Sequence, residues 1–194
     1  MPRLYLEPIP GSRDEPTRVS FAFVDPGRSG IQFWDALRLT TILRIGHDGP
    51  RGSRDTRRRV QAIVDTGAPL TVFPDQVWSD FPPSVIRFLD VPPGGSPQTM
   101  LVSGIRCPFR LGWIWVGVED KEWTISSLPA QRVLAQFAED GGRMKSNVLV
   151  GLSHSVLTGR RLVRETTLEA DESDPAELNR RRRTFGQVWR LTAV

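Results

Sequence analysis

One short stretch of the 194-residue sequence carries residues whose types and spacing could do chemistry. It is Asp65-Thr66-Gly67-Ala68, set between the apolar runs Ala62-Ile63-Val64 and Leu70-Thr71-Val72. A short β-branched run bounded by turn formers reads as a buried strand. Asp65 then falls where a strand gives way to a turn, which holds an acid rigidly at the rim of a cleft. Gly67 lacks a Cβ and lets backbone N–H groups close on the carboxylate. An acid held this way can take a proton from water or, when protonated, donate one to a carbonyl. The tripeptide alone is equally an ordinary turn, because Asp and Gly favour turns for local reasons.

The remaining reactive residues form no comparable set. His47 and His154 are the two histidines and Cys107 the one cysteine. Together they complete no zinc site at a standard spacing. Ser153-His154-Ser155 contains a hydroxyl and an imidazole, but sequence neighbours rarely face each other for nucleophilic catalysis. No glycine loop able to cradle phosphate is present. Neither cofactor nor metal is expected.

The flanking elements sharpen the motif. Val148-Leu149-Val150-Gly151, far downstream, is a second apolar run ending in glycine. Asp65-Thr66-Gly67-Ala68 between strands, followed at a distance by this element, resembles the retropepsin-like, single-lobed aspartic proteases of bacterial and cellular type. The resemblance covers residues 37 to 160 in layout, and those two stretches carry it. It implies a closed β-barrel lobe, the acid protease fold, with one or two short helices. It also implies Asp65 as the catalytic acid, with Thr66, Gly67 and Ala68 supporting its loop. Leu149, Val150 and Gly151 would pack beside that loop, and the hairpin at Val102-Ser103-Gly104-Ile105 would be a flap. An ordinary surface hairpin is the alternative there.

The resemblance further implies an endopeptidase acting on peptide or protein, in which two carboxylates share one proton. A second Asp-Thr/Ser-Gly is absent; Asp48-Gly49 and Asp140-Gly141 lack the middle residue. Single-lobed members meet this need by homodimerising, and Thr66 would then bond across the two-fold axis. Retroviral members commonly carry an acid four residues beyond the catalytic Asp and an arginine after the downstream Gly. Pro69 and Leu152 stand there in this chain, so a structural ion pair is missing as a unit. A catalytically silent protease-like binding or dimerisation module is the other reading of the same motifs.

The elements that must position Asp65 follow from periodicity. Leu37 to Ile45 alternates as a strand, Gly46 to Arg59 is a polar connection, and Leu70 to Phe73 is a strand stopped by Pro74. Asp75 to Asp80 suits a turn of helix. Gln98 to Val102 and Ile105 to Leu111 suit a hairpin, and Trp113 to Val118 a further strand with its tryptophans in the core. Val133, Leu134 and Phe137 have helical spacing, which predicts an amphipathic helix over 128–138. Ser153 can cap a short helix carrying Val156 and Leu157. Arg18 to Val24 and Val188 to Leu191 read as terminal strands whose free edges suit a dimer interface.

Composition bounds the rest. Sixteen prolines, seventeen glycines and 39% hydrophobic residues fit one mostly β domain over 1–194. Residues 1–30 read as an N-terminal extension, 37–160 as the core, 169–183 as a mobile loop and 186–193 as a closing strand. No apolar run reaches the roughly 20 residues of a membrane span, and no secretory signal is visible. One cysteine allows no intrachain disulfide and suits a reducing, cytoplasmic setting. The net charge of +4 is nearly all arginine, with runs at 57–59 and 180–183. Nucleic-acid binding is the weaker reading of these, because acids are numerous and the other arginines dispersed.

Overall fold

The computed structural model describes residues 2–8, 20–24, 27, 31–35, 37–46, 58–90, 98–102, 105–119, 128–144, 147–165 and 188–194. Their structure is mostly β. The strands are β1 (Arg3–Pro8), β2 (Ser20–Val24), β3 (Ile31–Asp35), β4 (Leu37–Ile45), β5 (Arg58–Val64) and β6 (Thr71–Phe73). They continue as β7 (Ile86–Phe88), β8 (Thr99–Val102), β9 (Ile105–Glu119), β10 (Leu128–Ala138), β11 (Val148–Val150), β12 (Arg160–Glu165) and β13 (Val188–Ala193). Helix is confined, among the described residues, to α1 (Asp75–Trp78) and a 3-10 turn at Pro83–Val85.

Strand β4 organises the sheet because one of its edges serves two partners. Residues 37–40 pair with β1 and residues 42–45 with β9, both antiparallel, while the other edge pairs with β5. From β5 the pairings run through β11, β6, β10 and β9 back to β4, so they close a ring. Glu119 stands at the closing seam, where its carboxylate meets Arg44 from β4 at 3.7 Å and Arg59 from β5 at 2.6 Å. β12, β13 and β1 extend the sheet from β4, and β2 pairs with β3 separately.

Alternation along the ring strands fills one core. Leu43 and Ile45 of β4, Ile114, Val116 and Val118 of β9, and Val133, Ala135 and Phe137 of β10 are all buried in it. Phe73 stacks on Phe137 at 5.4 Å between centroids, and Trp78 and Phe88 meet Phe137 edge-on. Leu4 of β1 and Leu191 of β13 are also buried there, so both ends of the chain join the domain.

Several expectations from the sequence need correction. Residues 128–138 form strand, not helix: β10 pairs along β9 and, in parallel, with β6. The helical set Val133–Leu134–Phe137 was present, but so was the period-two set Val133–Ala135–Phe137, and the neighbouring strand edges favour the latter. Ile105–Leu111 and Trp113–Val118 are parts of one long strand, β9. Its buried face is Ile114, Val116 and Val118, so Trp113 and Trp115 lie half-buried on the other, with the Arg132 guanidinium 4.9 Å from the Trp113 ring. No helix follows Ser153; residues 152–159 are bends and turns, and His154 has φ +47°, outside helical backbone. β13 lies between β12 and β1, so Val188 to Leu191 is no free edge. The proposed loop at 169–183 lies outside the described residues.

Phe137 carries the aromatic centre of this core, so Phe137→Ala should lower unfolding free energy by roughly 3–5 kcal/mol. Val163, 45% exposed on β12, is the control, and Val163→Ala should cost no more than about 1 kcal/mol in the same urea titration.

Candidate active site

Asp65 directly follows the last residue of β5, and its loop returns through β6. Strand β11 lies between these two arms, parallel to β5 and antiparallel to β6. The register sets Val150 against Val64, and the Asp65 N–H donates to the Val150 carbonyl at 3.0 Å. Beyond β11, the Leu152 and Ser153 N–H groups donate to the carbonyls of Ala68 and Pro69 at 3.1 and 2.8 Å. The acid-bearing loop is therefore laced to one neighbouring segment on both of its sides. No helix starts at Ser153 because His154 has φ +47° and its carbonyl accepts the Leu134 N–H of β10 at 3.1 Å.

Gly151 makes this lacing possible. A Cβ there would stand 2.4 Å from the Leu70 carbonyl carbon and oxygen and 2.8 Å from the Ala68 oxygen. These are backbone atoms that a side-chain rotation cannot move. Gly67 has the gentler version of the same role: its N–H donates to Asp65 Oδ1 at 2.9 Å, and the Ala68 N–H donates to the Asp65 carbonyl at 3.2 Å. One carboxylate oxygen is thereby fixed, and Oδ2 has no hydrogen bond among the described residues.

The carboxylate opens on a cleft of about 350 Å³. Ala68, Val72 and Leu149 give it apolar walls, and Met100 and Leu101 reach it from the β8–β9 hairpin. That hairpin is registered as Met100 with Cys107 and Val102 with Ile105; its tip, Ser103-Gly104, lies outside the described residues. Thr66 is exposed beside Asp65, whereas Val150 and Gly151 are buried behind it. The sequence-derived loop and packing residues thus converge on one place, and the hairpin borders it. Asp65 is the one acid lining the cleft among the described residues.

Two lining residues were not anticipated, Arg38 and Gln136. Arg38 had a legible signal: it alternates with Leu37 and Leu39 on the polar face of β4. The Thr40–Ile63 pairing, continued two residues, brings it level with Asp65. Asp140, the nearest approach to a second motif, is buried elsewhere. Its carboxylate accepts the Asp75 N–H at 3.0 Å and the Met144 N–H, so it ties α1 to the end of β10. Its partners make it a structural acid.

Cys107 is buried with Val72, Ala138 and Met144 beneath the cleft wall. Burial raises its thiol pKa, the nearby Asp140 charge raises it further, and Arg143 opposes both. The neutral thiol is therefore favoured in the folded chain, so alkylation at mildly alkaline pH should be slow until urea unfolds the protein. Fast labelling of the native chain would contradict this placement. Gly151→Ala should cost at least about 2 kcal/mol in urea unfolding, because backbone must shift around the new methyl. Gly67→Ala should cost less, since the nearest atom to a Cβ there is Asp65 Oδ1 at 3.3 Å. Neither a scan against protein-family models nor a search of curated proteins finds a match to this sequence, so the functional reading rests on this loop and its neighbours.

Proposed function

We propose that the chain is an aspartic endopeptidase of the retropepsin-like kind, active as a homodimer in which each copy gives one Asp65. The observation that carries the reading is the laced loop: an acid with one oxygen fixed by Gly67, its other oxygen free, facing a cleft with Ala68, Val72 and Leu149 among its walls and bordered by a hairpin. Such a cleft suits an extended peptide with apolar residues flanking the bond to be cut.

Peptide hydrolysis by this route requires two carboxylates within hydrogen-bond reach, sharing one proton because like charges that close resist joint ionisation. The ionised member takes a proton from a water held between them, and the water oxygen attacks the carbonyl carbon. The protonated member donates to the carbonyl oxygen, giving a tetrahedral diol. Proton return to the leaving nitrogen breaks the C–N bond. Each chain supplies one such acid, so the second comes from a second copy. By the resemblance, Thr66, which is exposed next to Asp65, would bond across the axis between copies. The β12 strand, which pairs on one side only among the described residues, offers an edge for assembly. Arg58 and Arg59 pair with Asp80 and Glu119, which weighs against that run as a phosphate-binding patch.

Asp65→Asn should reduce cleavage of apolar extended peptides by on the order of a thousandfold while leaving urea stability near wild type. Specific activity should fall as the protein is diluted through its dimer dissociation constant. An equal amount of Asp65→Asn chain should cut wild-type activity by about half through mixed dimers. Activity independent of dilution and of Asp65 would refute the reading. Folded, dimeric protein without turnover would favour the silent binding module.

A further inference from the structure

We infer that Arg38 makes the cleft selective for substrates bearing a carboxylate close to the scissile bond, an Asp or Glu side chain or a free C-terminus. The inference rests on the endopeptidase reading for its cleavage readout, though its binding readout stands alone. The polar side chains lining the cleft are Asp65, Gln136 and Arg38. Arg38 is half-buried; Glu7 of β1 stands opposite it in the strand register, yet no ion pair within 4 Å joins Arg38 to Asp65 or to any other described residue. Most other arginines around the ring have company: Arg44 and Arg59 share Glu119, Arg58 meets Asp80, and Arg110 lies over Phe88 at 3.5 Å. A guanidinium that makes no ion pair at the wall of the cleft is a ready partner for a carboxylate brought by a ligand.

The strand register says where that carboxylate must be. Pairing of Thr40 with Ile63, extended by two residues, sets Arg38 level with Asp65, so the two groups flank the same part of the cleft. The acid would therefore lie within a few residues of the bond being cut, not at a remote subsite. Guanidinium recognises carboxylate through two parallel N–H···O bonds, a geometry that neither an amide nor a lysine reproduces. Gln136 can add an amide donor from β10 but carries no charge to replace Arg38. In the homodimer the second Arg38 is placed symmetrically, so an acid on either side of the bond would be read. The apolar walls still select the residues at the bond itself, and Arg38 adds a charge requirement beside them.

The test uses short extended peptides with an apolar centre, each carrying Glu at one flanking position, and the same peptides with Gln. Their cleavage by the wild-type chain is compared, and their binding to the uncleaving Asp65→Asn chain is followed by fluorescence anisotropy. One or more flanking positions should favour Glu over Gln by about tenfold in both assays, as expected for a charge-assisted pair in a partly desolvated site. Arg38→Ala should bring that ratio to about one, Arg38→Lys should keep part of it, and Arg38→Glu should turn the preference towards Lys-bearing peptides. Raised salt should shrink the wild-type ratio. Equal handling of every Glu and Gln pair by both chains would overturn the inference, as would a Glu preference that survives Arg38→Ala. Binding that favours Glu without any cleavage would sustain the inference and sink the endopeptidase reading instead.

Discussion

The structure around Asp65 depends on a close backbone approach that a single missing Cβ permits. Gly151 lies against the Leu70 and Ala68 carbonyls, which lets β11 slot between the outgoing and returning arms of the acid-bearing loop. Three N–H···O bonds then lace the two segments together, one from Asp65 itself and two from the residues after Gly151. A loop carrying an acid would otherwise be among the looser parts of a β protein, since turns lack a ladder of their own. Here it borrows the ladder of its neighbour. In the proposed homodimer that rigidity would matter, because two carboxylates sharing a proton gain nothing if either wanders by an ångström.

The rest of the fold supports this junction. β6 and β10, which flank the acid loop on its far side, carry Phe73 and Phe137, and their stacking anchors the core directly behind the cleft. The split edge of β4 lets the pairings return on themselves, so β5 is held from one side by β4 and from the other by β11. Buried Asp140 performs the corresponding task on polar groups, satisfying N–H groups at the start of α1 and beyond the turn after β10. Two aspartates thus have opposite fates. The one whose oxygens are both occupied by backbone donors is structural, and the one with an oxygen to spare faces the cleft.

Much of this was legible in the sequence, and the reasons differ by element. β4 and β5 announced themselves because their alternation and β-branched content agree with their neighbours' demands. The loop residues were legible because Asp and Gly are turn formers and stand here between two apolar runs. β10 was misread since its residues satisfy two periods at once, and only the strand edges of β6 and β9 decide between them. β12 was missed because Arg160-Arg161-Leu162-Val163-Arg164 has too little apolar content to stand out, and its partner β13 lies far along the chain. The bends after Gly151 resemble a capped helix in the sequence, which does not display that the His154 carbonyl is taken by the Leu134 N–H of β10 or that His154 adopts φ +47°. Arg38 is legible as a polar-face residue of β4, but its level with Asp65 lies in a cross-strand register that a linear reading does not contain.

The central claim is that two copies of Asp65 form one catalytic pair. A crystal structure of the chain with a hydroxyl-bearing, non-cleavable peptide mimic tests it most directly. The account predicts a two-fold axis through the site, with both Asp65 carboxylates within hydrogen-bond distance of each other and of the mimic's hydroxyl. A mimic bound to a single chain, with the Asp65 carboxylates of neighbouring copies far apart, would contradict it.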